Sequence, residues 1–179
     1  MDVTKMDQKV LFTREEIQSK VKEMGELITR DYRGRRLMVI SLLKGSFVFT
    51  ADLIREIKLP LVIEFMITSS YGHSEETTGM VKIIQDVDLD VADYDVLLVD
   101  DIIDSGNTMM RVHSLLEARN PKSLRTCTLL DKPSRRKVDF EADYVGFVIP
   151  DVFIVGYGLN YGDYYRNMDH VFAFVDKEA

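Results

Sequence analysis

Asp100, Asp101 and Asp104, followed at once by Ser105, Gly106, Asn107 and Thr108, put three carboxylates and two hydroxyls within nine residues. Carboxylates suit sugar hydroxyls or a magnesium ion, because both want hard oxygen partners. A short hydroxyl- and glycine-rich turn that opens a helix suits a phosphate: its amides point outward unpaired, and the helix dipole favours an anion there. Gly106 lets the backbone close in on such a group. A phosphate cradle beside a grip for a diol and a metal is what a sugar phosphate requires. A capped helix with two solvated aspartates is the plainer account, and it needs fewer polar groups than this segment supplies.

Such residues act only if a frame brings them to one edge. Val96-Leu97-Leu98-Val99 is the strongest central-strand signal in the chain and runs directly into Asp100. Met109, Val112, Leu115 and Leu116 then mark a helix that stops at Asn120-Pro121. Upstream, Thr13-Arg14-Glu15-Glu16 has the capping-box pattern, and Ile17, Val21, Met24 and Ile28 share one face of a helix from Arg14 to about Asp31. The apolar run Leu37 to Leu43 reads as a strand buried on both faces. Lys44-Gly45-Ser46 follows as a tight turn, Phe47 to Ile57 as a helix, and Leu61 to Ile67 as the next strand. Thr68 to Met80 is polar, carries two glycines and reads as an exposed loop, with a short strand beyond it from Met80 to Val87. Leu124 to Leu130, Tyr144 to Ile149 and Val171 to Val175 are further strand candidates. Strands alternating with helices imply an α/β fold with a mostly parallel central sheet flanked by helices. In such sheets ligands bind beyond the carboxyl ends of the strands, which is where Asp100 to Thr108 fall.

The bulk composition narrows the class. A length of 179 residues suits one compact domain spanning 1–179. Thirty acidic against 23 basic residues give a formal net charge of −7, which counts against a nucleic-acid partner. Cys127 is the single cysteine, so no intrachain disulfide forms and the chain reads as intracellular. Met1 to Val10 lacks the apolar stretch of a signal peptide, and no stretch approaches a membrane span. A cytoplasmic protein with no membrane partner is expected.

The thirteen residues Val96 to Thr108 resemble the phosphoribosyl-pyrophosphate motif of the type I phosphoribosyltransferases, and the chain from about Val10 to His170 is similar to the hypoxanthine-guanine branch. That resemblance implies the family fold, with a small hood beside the central sheet. It also implies transfer of a phosphoribosyl group from phosphoribosyl pyrophosphate to a 6-oxopurine, with Mg2+ as cofactor. By the same resemblance Asp100 and Asp101 grip the ribose diol and its metal, and Asp104 is the general base near the purine N7. Asp104, Ser105, Gly106, Asn107 and Thr108 hold the 5′-phosphate. Lys44 and Gly45 match a pyrophosphate-binding turn that often carries a cis peptide, and Arg166 matches an arginine on the same group. Lys132 matches the lysine that reads the exocyclic oxygen, Phe153 the ring that stacks on the base, and Ile154 and Val155 its backbone contacts. Ser70-Tyr71 matches a loop that closes over the reactants. Relatives in this family are usually dimers or tetramers, so a homodimer or homotetramer is implied.

One departure stands out: Asn160 occupies the position where the family usually has an aspartate that helps hold a second magnesium. An amide keeps a neutral oxygen and loses the charge. Asp100 is a smaller departure, since many relatives have glutamate there. Among rivals, a non-catalytic regulator binding the same sugar phosphate would have no need of Lys132, Phe153 and Arg166. A signalling receiver domain would carry its acidic pair after the first strand. Asp86 to Leu97 fails as a calcium loop, because Val91 stands where glycine belongs and Leu97 where glutamate should be. The chain has no P-loop lysine motif, and Gly156-Tyr157-Gly158 lacks the third glycine of a dinucleotide fingerprint.

Overall fold

The structure, a computed structural model, describes residues 6–70 and 81–176. Its elements run β1 (Met6–Phe12), α1 (Arg14–Asp31), β2 (Leu37–Leu43), α2 (Phe47–Glu56), β3 (Leu61–Ser70), β4 (Val81–Gln85), β5 (Asp95–Ile103), α3 (Asn107–Glu117), β6 (Ser123–Asp131), β7 (Tyr144–Val148), β8 (Ile154–Val155) and β9 (Val171–Asp176). A six-stranded sheet has the order β4-β3-β2-β5-β6-β7, parallel throughout except for β4. A separate three-stranded antiparallel sheet, β1-β9-β8, forms the hood.

Strand periodicity decides which helix covers which face. Leu37 and Val39 pack with Ile17, Val21, Phe49 and Leu53 of α1 and α2. Met38, Ile40 and Leu42 turn the other way and pack with Met109, Val112 and Leu116 of α3. A strand that is apolar at every position is therefore read correctly as one buried on both faces. At the start of α1, Thr13 Oγ1 accepts from the Glu16 amide at 3.2 Å and Glu16 Oε2 accepts from the Thr13 amide at 2.8 Å, which is the expected capping box.

Three expectations need correction. β5 continues past Val99 to Ile103, so Asp100 and Asp101 lie within the strand. Thr68 to Ser70, expected in a loop, extend β3 and pair with β4 through Thr68–Ile83, Ser69–Lys82 and Ser70–Val81. An antiparallel ladder needs no apolar face to satisfy its backbone, so polar residues can belong to it. β1 and β8 were not anticipated at all. Asp7 to Val10 are exposed and β8 is two residues long, so neither leaves a periodic apolar signal. Among the described residues no helix is long and apolar enough to cross a membrane.

Candidate active site

Beyond Val99, β5 no longer pairs with β2 while its pairing with β6 continues to Ile103–Asp131. The sheet opens at that point, and the turn leaving β2 faces the opening. Gly45 lies so close to Asp101 that a Cβ there would strike the Asp101 carboxylate. Only glycine allows the turn and the carboxylate to sit together. Burial and then the neighbouring charge of Asp101 push the Asp100 carboxyl well above its usual range. Burial likewise raises Asp101, although a hydrogen bond with Asp100, the Ile102 amide and the charge of Arg166 pull the other way. A buried carboxylate beside a partly buried one, with few donors, suits a hard cation. No group of three or more His, Cys, Asp or Glu side chains with metal-holding geometry occurs among the described residues. A magnesium ion held here would draw its remaining ligands from the substrate, as this ion commonly does.

The strand-to-helix corner opens α3 at Gly106. Gly106 caps α3 with φ +84°, no side chain caps the helix, and its first turn carries no acidic residue. A Cβ on Gly106 would also meet Arg136 Cδ and Val138 Cγ2 at 2.9 Å. Ser105 Oγ accepts from the Asn107 amide at 3.4 Å. The loop lines a cavity of about 100 Å3 with Asp100, Asp104, Ser105, Gly106 and Thr108 at its wall. Asp104 Oδ1 faces no solvent and takes part in no hydrogen bond, although Arg135 Nε lies 3.1 Å away. An acceptor kept without a donor is poised for a ligand's proton.

On the opposite wall the Leu43–Lys44 peptide is cis, as the family turn implies. Three buried hydroxyls brace it: Ser41 Oγ bonds Ser46 Oγ at 2.7 Å and Thr50 Oγ1 at 2.8 Å, and Ser46 Oγ donates to the Leu42 carbonyl at 2.6 Å. Ser41 was hidden inside an apolar run, and its polarity in a fully buried strand was the signal that could have exposed this brace. Arg166 Nη1 donates to the Gly158 carbonyl at 2.6 Å. Gly158, at φ +102°, packs on the Gly45 carbonyl so closely that a Cβ would not fit. Lys44, Gly45, Asp101 and Arg166 are thereby assembled from three segments. Asn160 donates its amide to the Gly162 carbonyl, a bond that an aspartate could not make.

The third wall begins where β6 ends. Lys132 is only 6% exposed, and its Nζ donates to the Val152 carbonyl at 2.8 Å. Phe153 is 51% exposed and meets Tyr161 edge-on at 5.9 Å, while Ile154 and Val155 are buried and paired with β9. An exposed phenyl beside a buried lysine is an arrangement that a flat, oxygen-bearing ring could complete.

Sequence reasoning missed two arginines here, having no reason to single them out from a basic run. Arg136 donates from Nη1 to the Asp104 carbonyl at 2.8 Å and pairs through Nη2 with Asp131, tying the phosphate loop to the lysine turn. Arg135 reaches Asp104 itself. Ser70 ends β3; Tyr71 lies outside the described residues, as does His73. His113 packs edge-on against Phe140 on α3, and His170 pairs with Asp169, so neither joins the site.

Comparison with known proteins points the same way. The family described as "phosphoribosyl transferase domain" matches residues 8–162. The chain is 49% identical over 164 residues to the hypoxanthine phosphoribosyltransferase of Salmonella typhimurium, covering 90% of this chain and 92% of that one. A crystal structure of a hypoxanthine-guanine phosphoribosyltransferase from Bacillus anthracis superposes with a TM-score of 0.89 at 50% identity, covering 93% and 98% of the two chains. The Trypanosoma cruzi hypoxanthine phosphoribosyltransferase in complex with its product IMP gives 0.86 at 40% identity, covering 92% of each.

Proposed function

This chain belongs to the phosphoribosyl transferase family, and on that premise we propose that it is a purine-salvage enzyme joining the 5-phosphoribosyl group to N9 of hypoxanthine or guanine. The products are IMP or GMP and pyrophosphate. The observation that carries this reading is how the strand ends are tied together: Gly45 lies against the Asp101 carboxylate, the Lys132 amide donates to the Ile103 carbonyl, and Asp100 and Asp104 line one cavity with Ser105, Gly106 and Thr108.

In the reaction, the bond between ribose C1 and the pyrophosphate oxygen breaks and the leaving group departs with the electron pair. N9 bonds C1 as the purine gives up a proton. Asp104 takes that proton near N7, a contribution of about 100- to 10,000-fold for a well-placed base. Lys44, the Gly45 amide and Arg166 stabilise the charge gathering on pyrophosphate, and Lys132 donates to the 6-oxo group. Phosphoribosyltransferases generally use the magnesium complex of the sugar pyrophosphate. Magnesium held by Asp100 and Asp101 would supply further stabilisation of negative charge. Asn160 contributes no charge to a second metal. Ile154 and Val155 set the base edge through their backbone, and Phe153 stacks on its face. The whole chain works as one domain, in the cytoplasm, as a homodimer or homotetramer.

The test is product formation from phosphoribosyl pyrophosphate and magnesium with hypoxanthine, guanine, xanthine, adenine and uracil in turn. Turnover of a 6-oxopurine is expected. Tight binding of the sugar pyrophosphate without turnover on any base would make the chain a regulator instead.

A further inference from the structure

Arg135 sits between the two groups assigned to opposite edges of the purine. Its Nε lies 3.1 Å from Asp104 Oδ1, and its Nη1 lies 3.5 Å from Asp151 Oδ1. Asp151 Oδ1 is in turn 3.9 Å from Lys132 Nζ. One guanidinium therefore links the proton acceptor to the neighbourhood of the lysine that reads the base. Its backbone is fixed: Arg135 ends a 3-10 turn over Pro133–Arg135, and its amide donates to the Lys132 carbonyl at 3.2 Å. Its side chain is 50% exposed, so room to move lies on the solvent side.

A purine that donates a proton to Asp104 Oδ1 competes with Arg135 for that oxygen. The oxygen is closed to solvent yet engaged in no hydrogen bond, so the guanidinium neutralises it without consuming its acceptor capacity. Asp151, already within reach of Nη1, gives the displaced guanidinium a second carboxylate to rest on. We propose that Arg135 is a substrate-displaced latch: it lies against Oδ1 of the catalytic carboxylate and swings toward Asp151 when a 6-oxopurine enters. This rests on the assignment of Asp104 as the N7-side base. Half-exposed ion pairs hold weakly, so the latch costs the enzyme about two- to fivefold in apparent purine affinity. In exchange, Oδ1 is held closed until a ligand able to replace the arginine arrives, while the rest of the Asp104 side chain stays partly exposed.

The experiment is steady-state kinetics of the native chain, Arg135→Ala and Arg135→Lys, varying hypoxanthine at saturating sugar pyrophosphate and then the reverse. Arg135→Ala should lower KM for hypoxanthine about two- to fivefold, while kcat and KM for the sugar pyrophosphate stay within about twofold. Arg135→Lys keeps the charge and should fall between them. High salt should close the gap between native and Arg135→Ala, because it screens the ion pair. An unchanged KM for hypoxanthine overturns the latch, since the purine would then be using the other carboxylate oxygen. A raised KM overturns it in favour of a direct grip on substrate, and a lowered kcat at constant KM in favour of orienting Asp104. If the native chain turns over no 6-oxopurine, the functional reading itself fails and takes the latch with it.

Discussion

Strand β5 carries carboxylates at both ends, and the two ends treat them in opposite ways. At its start, Asp95 is buried and its Oδ1 is engaged, accepting from Arg35 Nη1 at 3.2 Å and Ser123 Oγ at 2.7 Å. Asp31 lies toward the same end and accepts from Tyr144 Oη at 3.0 Å, with Arg125 Nη1 at 3.5 Å. At its finish, Asp100 and Asp101 press on each other, and just beyond it Asp104 holds an oxygen with no hydrogen bond. Residue type is alike at the two ends. What differs is whether the protein supplies the partners or leaves them to a ligand, and the second condition marks a working site. Cavity size gives no such guide. A larger cavity, about 440 Å3, lies near the starting end between Gly34–Leu37 and Pro60–Val62, and no carboxylate lines it.

If the comparison is right, substitutions at the finish change chemistry and those at the start change stability. The largest effect belongs to Asp104→Asn. It should reduce kcat about 100- to 10,000-fold, while the melting temperature hardly moves, because Asp104 Oδ1 takes part in no hydrogen bond. Product formation beside a thermal melt reads both, and a variant that melts early would place Asp104 among the structural carboxylates.

Asp101→Asn comes next. Activity should fall on the order of 100-fold, the scale for removing one electrostatic contact to the reacting groups. Its melting temperature should hold or rise, since one of two neighbouring like charges is gone. Loss of stability there would show that the pair is a structural element after all. Asp95→Ala should do the reverse: about 1–3 kcal/mol of stability lost, because Arg35 and Ser123 keep donors with nowhere to go. Its kcat should match the native chain. A denaturant midpoint measures the first and the purine assay the second.

Much of this contrast could be read before the structure. The run Val96 to Val99 marked a buried strand, and the acidic and hydroxyl residues after it pointed to its carboxyl end as the place for a site. Periodicity found α1, α3 and β2 because each buries a regular stripe. What escaped has no local signature. Arg135 and Arg136 look like surface charge until the chain folds and brings them to Asp104. Ser41 reads as a blemish in an apolar strand until Ser46 and Thr50 meet it. Asp95 and Asp100 are five residues apart on one strand, and only their neighbours on other segments tell them apart.

The smallest effect tests the starting end by pH. Burial alone would raise the Asp31 carboxyl, but hydrogen bonds from Tyr144 and Arg30 and the charges of Arg30 and Arg125 outweigh it and hold it below its ordinary value of 3.8. A carboxyl lowered by folding adds stability that is complete above 3.8 and lost as pH falls through the lowered value. Tyr144→Phe removes the hydroxyl donor while keeping the ring. Stability at neutral pH should then drop by about 0.5–1.5 kcal/mol, and the acid limb of the melting profile should move up toward 3.8. The difference between the two proteins is what matters, since other carboxylates share the same limb. Parallel acid limbs with a constant offset would mean that the Tyr144 hydroxyl stabilises through its bond from Arg125, and that Asp31 is held ionised by the arginines alone.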